Sequence, residues 1–184
     1  MQAQKTKILS FAGQIGSGKS TISKLLADKL GWKRAGFGDF LRSQATSRGL
    51  DPSDRDALQS LGREFIQKGW EPFCSQVLET AIWIPGENLI VDGIRHVEAV
   101  ETLQEITQPS DVKLVYITTP ENLRRQRVVT RGREKGPAAE SHPVESEVRS
   151  TLPARADLLI DNSSSRAQTI QRITDALGSW IASR

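Results

Sequence analysis

The chain has 184 residues, enough for one compact domain with modest insertions. A single cysteine, Cys74, excludes an internal disulfide framework, and because no signal peptide or membrane span is apparent we expect a cytoplasmic protein with no membrane partner. The formal net charge of +3 is mild and the arginines are scattered, so we expect small anionic ligands and no nucleic-acid polymer.

The first motif is a glycine-rich loop between a strand-like and a helix-like segment. Residues 7–12 form an apolar run that predicts a buried strand, and apolar residues recur at helical spacing after residue 20. Between them, residues 13–20 read GQIGSGKS and fit the phosphate-binding pattern G-x-x-x-x-G-K-[ST]. In this pattern backbone N–H groups surround the phosphates, the lysine contacts the β and γ oxygens, and the serine hydroxyl can ligate Mg²⁺. The predicted ATP-binding residues are Gly13, Gly16, Ser17, Gly18, Lys19, Ser20 and Thr21.

Four further strands are predicted along the chain. Residues 32–37 can form the second strand, before a helix that begins near Asp39, and residues 41–83 are helical with breaks at glycine and proline. Apolar runs at 88–93, 112–117 and 158–160 predict the others, and an amphipathic helix ends the chain. Strands that alternate with helices predict an α/β fold whose parallel sheet is covered on both faces, with ligands at the carboxyl ends of the strands.

A carboxylate and a guanidinium follow the second strand. Asp39 and Arg42 are three residues apart and therefore share a helix face. An acceptor that carries a hydroxyl or a phosphate would use both groups. Asp39 would orient or deprotonate the attacking oxygen, or bind metal through water, while Arg42 would clamp the phosphate. The alternative is a helix N-cap at Asp39 with a surface ion pair.

A second acid and arginine follow the third strand. Asp92 comes directly after an apolar run, where an acid that helps to hold Mg²⁺ stands in P-loop phosphotransferases, and we assign it with Ser20 to the metal. A turn-forming Asp-Gly pair would explain it equally simply. Arg95 lies just beyond, where a lone arginine would usually be solvated, and with Arg42 we expect it to form a two-pronged clamp for the acceptor phosphate.

Five arginines crowd residues 124–133, at a helix end and the loop beyond it. Such a run is normally a solvated surface, but phosphoryl transfer needs positive charge around the transferred group. Arg127 and Arg131 share a helix face, and we assign them catalytic roles together with Lys19 and Asp39. The polar segment that follows would close over the site.

These motifs, in this order, resemble those of the nucleoside monophosphate kinase branch of P-loop proteins, which includes dephospho-CoA kinases. Residues 38–42, GDFLR, look like the Gly-Asp-Leu-Leu-Arg of adenylate and cytidylate kinases, whose arginine holds the acceptor phosphate. Residues 92–95, DGIR, are similar to their Asp-Gly-Phe-Pro-Arg without the proline, and the arginines of 127–133 look like those that flank the family's lid. Residues 156–162, ADLLIDN, are close to a strand that is common in dephospho-CoA kinases.

A further stretch, residues 58–64, reads LQSLGRE and resembles the Leu-Gln-x-x-Gly segment of phage-type deoxynucleoside monophosphate kinases. The resemblance makes Gln59 and Arg63 candidates for acceptor contacts. The apolar stripe of an ordinary amphipathic helix would account equally well for Leu58 and Leu61.

The resemblance implies a single P-loop kinase domain over residues 1–184 with the three-layer fold and a five-stranded sheet of order 2-3-1-4-5. A helical insertion at approximately 40–85 would cover the acceptor, and a short lid would occupy approximately 131–147. It also implies ATP-dependent phosphoryl transfer, with Mg²⁺ and ATP as the donor, to a nucleoside or deoxynucleoside monophosphate. Two alternatives remain: phosphorylation of a ribose hydroxyl, as in dephospho-CoA kinases, with Asp39 as the base, and a nucleotide-dependent regulatory ATPase. No sequence feature indicates the oligomeric state.

Overall fold

A central sheet of five parallel strands organises the chain, which the computed structural model describes at residues 6–130 and 143–182. The strands pair in the order β2-β3-β1-β4-β5, so the phosphate-binding loop follows the central strand. Their parallel direction and this order confirm the predicted α/β fold. The strands are β1 (Lys7–Ala12), β2 (Lys33–Gly36), β3 (Leu89–Ile94), β4 (Asp111–Thr118) and β5 (Leu158–Asp161).

Helices cover both faces of the sheet. One hydrophobic core lies between the sheet and residues of α2, α3, α4, α5 and α7, and the other lies between the sheet and residues of α1 and α8. This gives the three layers that the sequence predicts. The helices are α1 (Lys19–Leu30), α2 (Phe37–Ser47), α3 (Arg55–Lys68), α4 (Trp70–Thr80), α5 (Val97–Ile106), α6 (Glu121–Thr130), α7 (Pro143–Arg155) and α8 (Arg166–Ala182).

The central strand shows why the buried strands read as continuous apolar runs. Ile8 and Ala12 of β1 belong to one core, whereas Leu9 and Phe11 belong to the other. Successive side chains of a strand point to opposite faces, and both faces are covered here, so every position is buried. The strand is therefore fixed rigidly, and the loop that leaves its carboxyl end has a defined starting point.

The second strand is shorter than its sequence predicts, and the following helix begins earlier. Phe37 starts α2, and its ring packs edge-on against Phe73 with centroids 5.1 Å apart. Burial of this ring against Phe73 of α4 explains why the strand ends before Phe37 and the helix begins there. Gly38 lies inside the helix, where the guanidinium of Arg42 lies against its backbone.

The segment between β2 and β3 consists of the three helices α2, α3 and α4, which occupy the predicted insertion. Phenylalanines from each of them form one aromatic cluster, and Cys74 is a buried free thiol beside it. Of the predicted lid, residues 131–142 lie outside the described residues, and α7 supplies the remainder. Among the described residues, no helix has the length and apolar character that crossing a membrane would need.

Candidate active site

The carboxyl ends of the strands open into one large cleft of about 680 Å³. Its walls come from the phosphate-binding loop, the start of α2, α3, the end of β3 and the start of α5. The structure thus brings together motifs that lie far apart in the chain. The predicted site residues that line the cleft are Gly16, Gly18, Lys19, Ser20, Thr21, Asp39, Arg42, Gln59, Arg63, Asp92 and Arg95.

The phosphate-binding loop has the backbone that its glycines permit. Gly16 has φ 78°, and a β-carbon there would lie 2.6 Å from the carbonyl oxygen of Arg124. Gly18 has φ 88° and caps α1, with Lys19 as the first helical residue. L-residues rarely adopt these angles, and a side chain at Gly16 would also push against the α6 backbone. The loop therefore presents backbone N–H groups at a helix N-terminus, the arrangement that binds phosphate.

Three side chains hold this loop through a single carbonyl group. The Ser17 oxygen accepts hydrogen bonds from Asn162 Nδ2 at 2.8 Å, Thr119 Oγ1 at 3.0 Å and Arg127 Nη1 at 3.3 Å. Arg127 Nη2 also donates to the Asn162 carbonyl at 2.9 Å. Arg127, a predicted catalytic residue, thus lies against the loop backbone. Its predicted companion, Arg131, lies outside the described residues.

Asn162 ends the segment that resembles a strand of dephospho-CoA kinases, and the sequence alone predicts no role for it in the site. Its side chain is buried, and Thr169 Oγ1 donates to its Oδ1 at 2.9 Å, which fixes the amide so that Nδ2 faces Ser17. The only sequence signal was a polar residue directly after an apolar strand. That signal places Asn162 at the carboxyl edge of the sheet without identifying its partner.

Two more arginines lie on the other side of the loop. Arg124 is buried and its Nη1 donates to the Ile15 carbonyl at 3.1 Å. It also lines a smaller cavity of about 310 Å³, together with Gln14 of the loop and Arg149 of α7. Arg149 has the pattern of an ordinary surface residue, yet α7 carries it to the phosphate-binding loop. Its position follows from packing of α7 that the local sequence does not indicate.

The two predicted acids are joined by a residue that sequence reasoning missed. Arg34 of β2 donates from Nη1 to Asp39 Oδ2 at 2.8 Å and from Nη2 to Asp92 Oδ2 at 2.7 Å. Asp39 also accepts from Arg42 Nη2 at 2.5 Å, as their shared helix face predicts. Asp39 is the third residue of α2, so it does not form the N-cap, which is Gly36. A strand arginine carries no local signal that it will bridge two distant acids.

The electrostatics of Asp39 follow from these contacts. Burial alone would raise the pKa of Asp39, but hydrogen bonds from Arg42 and Arg34, with their charges, hold that pKa below its ordinary value. Burial likewise opposes the charge of Arg34, and the two acids outweigh it and raise the pKa of the guanidinium. Asp39 is therefore a carboxylate at neutral pH, held by two cations.

Asp92 differs from Asp39 in its exposure. It ends a buried stretch of β3 and is 4% exposed. Its Oδ2 accepts from Arg34, whereas its buried Oδ1 has no hydrogen-bond partner among the residues that the structure describes. A buried carboxylate oxygen without a partner is costly unless a ligand satisfies it. Because Asp92 and Ser20 line the same cleft, this oxygen fits a cation ligand better than a turn-forming acid.

The predicted acceptor residues line the same cleft as the phosphate-binding loop. Arg42, Arg63 and Arg95 reach it from α2, α3 and the end of β3, and Gln59 adds an amide. Arg63 donates to Ser60 Oγ at 3.2 Å on its own helix. Three arginines in the lining of one cleft favour a ligand with at least one anionic group.

Apolar and aromatic side chains form another part of the lining. They belong to Phe37, Ile66, Trp70 and Phe73. The Trp70 ring lies parallel to Phe73 with centroids 6.1 Å apart, and His96 lies 5.2 Å from Trp70. Trp70 is half-buried, so it belongs to the wall of the cleft and to the edge of the core at once. Such a surface suits a flat apolar group.

The sequence pattern of the AAA domain family matches residues 10–148, from β1 into α7. A UPF0200 protein from Pyrobaculum aerophilum is 30% identical over 171 residues, which are 90% of this chain and 92% of that protein. The chain belongs to both families. A cytidylate kinase from Haloarcula marismortui is 29% identical to this UPF0200 member over 138 residues, or 70% of the chain and 66% of the kinase.

The fold of this UPF0200 member is shared with solved kinases. The APS kinase of Mycobacterium tuberculosis, solved in complex with AMPPNP and APS, superposes with a TM-score of 0.63 at 21% identity. The match covers 96% of this chain and 99% of that kinase. These likenesses confirm the predicted P-loop kinase fold.

Proposed function

We propose that this UPF0200 member transfers the γ-phosphoryl group of ATP to a nucleoside or deoxynucleoside monophosphate. The observation that carries the proposal is the cleft whose lining contains the phosphate-binding loop together with Arg42 and Arg95. The loop suits a triphosphate, and the arginines with the aromatic lining suit a second anionic ligand with a flat apolar part. A relative named as a cytidylate kinase supports this class of acceptor.

The residues present fit a Mg²⁺ ion that accompanies ATP. Ser20 is the second residue of α1 and lines the cleft, and Asp92 offers a buried oxygen without a partner in the described part of the chain. These oxygen donors would hold the ion directly or through water. When bound, Mg²⁺ would neutralise charge on the β and γ oxygens of ATP.

The chain's own groups supply the rest of the catalysis through position and charge. Lys19 would contact the β and γ oxygens, and the loop amides would hold the donor phosphates in line with the acceptor. Arg127 holds the loop through the Ser17 carbonyl and adds positive charge on the donor side. No covalent intermediate with the protein is needed, since positioning and electrostatic stabilisation carry most of phosphoryl transfer.

The state of Asp39 favours a monophosphate over a ribose hydroxyl. A general base works best with a pKa near the working pH, whereas the pKa of Asp39 lies below its ordinary value. A monophosphate oxygen is already ionised and needs no base. In this reaction Asp39 orients Arg42 toward the acceptor phosphate, because their hydrogen bond fixes the guanidinium on the face of α2 that lines the cleft.

The aromatic residues of the cleft favour a nucleotide over a polyhydroxylated acceptor as the second substrate. A sugar or hydroxy acid would need polar partners for each hydroxyl, because unpaired polar groups in a pocket cost binding energy. Trp70, Phe73 and Ile66 offer no such partners on their faces and suit a heterocyclic base. The expected cytoplasmic location of the protein is consistent with a soluble nucleotide substrate.

Consumption of ATP with a panel of acceptors tests the proposal. The panel contains ribo- and deoxynucleoside monophosphates and dephospho-CoA, each with Mg²⁺ and purified protein. Lys19→Ala and Arg42→Ala are expected to lower turnover by on the order of 10²-fold, since each removes a charge that contacts a reacting phosphate. Arg125→Ala is the matched control, because Arg125 is exposed and pairs with Glu121 on its own helix.

Each outcome of the panel assigns the chemistry. Turnover with a monophosphate that both variants lose would support the proposal. Turnover with dephospho-CoA alone would reject it and would make Asp39 a base for a ribose hydroxyl. Hydrolysis that no acceptor changes would reject it in favour of a regulatory ATPase, and the Arg42→Ala variant would then keep the wild-type rate.

A further inference from the structure

Arg34 holds an unusual place in the site, because it contacts both acids but does not line the cleft. Its side chain is 21% exposed. One arm of the guanidinium reaches Asp39 and the other reaches Asp92, which come from α2 and β3. The planar fork of an arginine can bond two carboxylates at once in a fixed geometry, which the single ammonium of a lysine cannot do.

Arg34 also reaches the other candidate metal ligand through a hydroxyl. Its Nε donates to Ser23 Oγ at 3.2 Å, and Ser23 in turn donates to the Ser20 carbonyl at 3.1 Å. Ser23 is fully buried, and the two hydrogen bonds that it makes are partly buried. Arg34 is therefore bonded, directly or through one residue, to Asp39, Asp92 and Ser20.

Two carboxylates that approach the same point attract a divalent cation when no protein cation lies between them. Phosphotransfer sites hold either one or two such ions, and two-ion sites use carboxylates as shared ligands. In this protein the guanidinium of Arg34 lies between Asp39 and Asp92 and supplies the positive charge. It also leaves Oδ1 of Asp92 available, since it bonds only to Oδ2.

We propose that Arg34 is a positioning residue that restricts the site to one divalent cation. It occupies the position between Asp39 and Asp92 where a second ion would bind, and it turns Asp92 so that Oδ1 faces the nucleotide-associated ion. The inference rests on the proposed function only in taking the cleft to bind ATP with Mg²⁺. It does not depend on the identity of the acceptor.

Counting bound ions tests the proposal without turnover. Mn²⁺ replaces Mg²⁺, AMPPNP replaces ATP, and electron paramagnetic resonance measures free Mn²⁺ against protein concentration. The wild-type protein is expected to bind about one Mn²⁺ per chain, and Arg34→Met about two, because the two acids then lack their shared cation. The double variant Arg34→Met with Asp39→Asn is expected to return to about one, because one ligand of the second ion has lost its charge.

The controls separate a lost ion site from a lost fold. Circular dichroism and AMPPNP affinity are measured on each variant, and Arg48→Met is the matched substitution, since Arg48 pairs with Glu64 away from Asp92. About two ions on the wild-type protein would overturn the proposal, and this measurement needs no variant. One ion on a folded Arg34→Met protein that still binds AMPPNP would also overturn it.

A kinetic readout follows if the protein turns over an acceptor. Arg34→Met is expected to show inhibition at Mg²⁺ concentrations that leave the wild type unaffected, with about a tenfold rise in KM for the acceptor as Asp39 loses one of its two cations. Absence of turnover in every protein would reject the proposed function while the ion count still decides this inference. Equal Mg²⁺ profiles in two active proteins would count against the role of Arg34.

Discussion

Glu147 of α7 accepts a hydrogen bond from the backbone N–H of Val97 at 2.6 Å and so caps the N-terminus of α5. Its second oxygen lies 2.9 Å from Nδ1 of His96. Since α5 begins two residues after Arg95, Glu147, which lies at the end of the predicted lid, is bonded to the segment that carries a predicted acceptor arginine. A cap of this kind stabilises a helix both by hydrogen bonding and by placing negative charge at its N-terminus.

Replacement of this cap is the first prediction. Glu147→Ala is expected to lower the free energy of unfolding by about 1 kcal/mol and to raise KM for the acceptor more than KM for ATP. Urea unfolding and steady-state kinetics measure the two effects. Glu101→Ala serves as the control, because Glu101 is exposed and only faces Arg155 at 3.8 Å. Equal changes in the two KM values would contradict a specific role on the acceptor side.

The second prediction concerns the pKa of Asp39, whose ordinary value is 3.8. Because the folded pKa is the lower one, the contribution of this carboxylate to stability is fully present above pH 3.8 and is lost as the pH falls through the folded value. Carbon-13 NMR of the carboxyl group is expected to give a midpoint below 3.8, and Arg42→Ala is expected to move it upward. Arg125→Ala leaves the contacts of Asp39 intact and should not move it. A wild-type midpoint above 3.8 would show that burial outweighs the two arginines.

The third prediction compares two glycines with similar backbone angles. Gly16 and Gly31 have φ 78° and 66°. A β-carbon at Gly16 would lie 2.6 Å from the Arg124 carbonyl oxygen, whereas one at Gly31 would have no atom of the described residues within 4 Å. Gly31→Ala is expected to cost about 1 kcal/mol of stability and to leave nucleotide affinity unchanged. Gly16→Ala is expected to weaken AMPPNP binding at least tenfold, or about 1.4 kcal/mol by calorimetry, because the loop must shift. Similar affinities in both variants would mean that the loop tolerates the displacement.

A change of one amide to a carboxylate is the fourth prediction. Asn162→Asp replaces the donor that faces the Ser17 carbonyl by an oxygen, and the two oxygens repel each other. We expect KM for ATP to rise about tenfold, since a buried hydrogen bond is lost and an acceptor is left unpaired. Asn88→Asp is the matched control, because Asn88 uses its Oδ1 to accept from the Lys7 N–H, a role that a carboxylate keeps. An unchanged KM in Asn162→Asp would indicate that Thr119 and Arg127 hold the loop without it.

The fifth prediction assigns Trp70 to the acceptor. Trp70→Leu removes the aromatic surface beside Phe73 while keeping an apolar residue, and it is expected to raise KM for the acceptor about tenfold with little effect on ATP. Trp180→Leu is the control, since its Nε1 donates to Asp111 Oδ2 at 2.7 Å near the amino end of β4. Acceptor-induced quenching of fluorescence should disappear in the first variant and persist in the second. Quenching that survives in Trp70→Leu would place the acceptor away from this wall.

Much of the fold follows from the sequence, because both faces of the sheet are buried and its strands read as apolar runs. The phosphate-binding loop, Asp92 and Asp39 could be placed at the cleft in advance, since each lies near the carboxyl end of a strand, at the edge where parallel strands end. The contacts of these residues could not be predicted from the sequence. Arg34 and Asp92 are 58 residues apart, and Glu147 and Val97 are 50 apart, so no local pattern links either pair.

The start of α2 shows a second limit of sequence reasoning. An aromatic residue before a glycine fits the end of a strand, and the sequence therefore predicts β structure through Phe37. The ring instead packs against Phe73 of α4, a contact between residues that only the folded insertion brings together. Tertiary burial overrides local preference at this boundary, whereas the end of α1 is set locally by the positive φ of Gly31.

The pairing of the central strand has a consequence for biosynthesis. The phosphate-binding loop lies near the start of the chain, yet β1 pairs with residues of β3 and β4, such as Leu89 and Val112 opposite Ile8. The hydrogen bond from Asn162 to the Ser17 carbonyl cannot form until Asn162, which is 145 residues further along the chain, has been synthesised. During translation the phosphate-binding loop is therefore made early, whereas Asn162, which holds the loop, is made late. We expect nascent chains that stop before β5 to bind nucleotide weakly. Bound nucleotide would therefore stabilise the fold only when the chain is nearly complete.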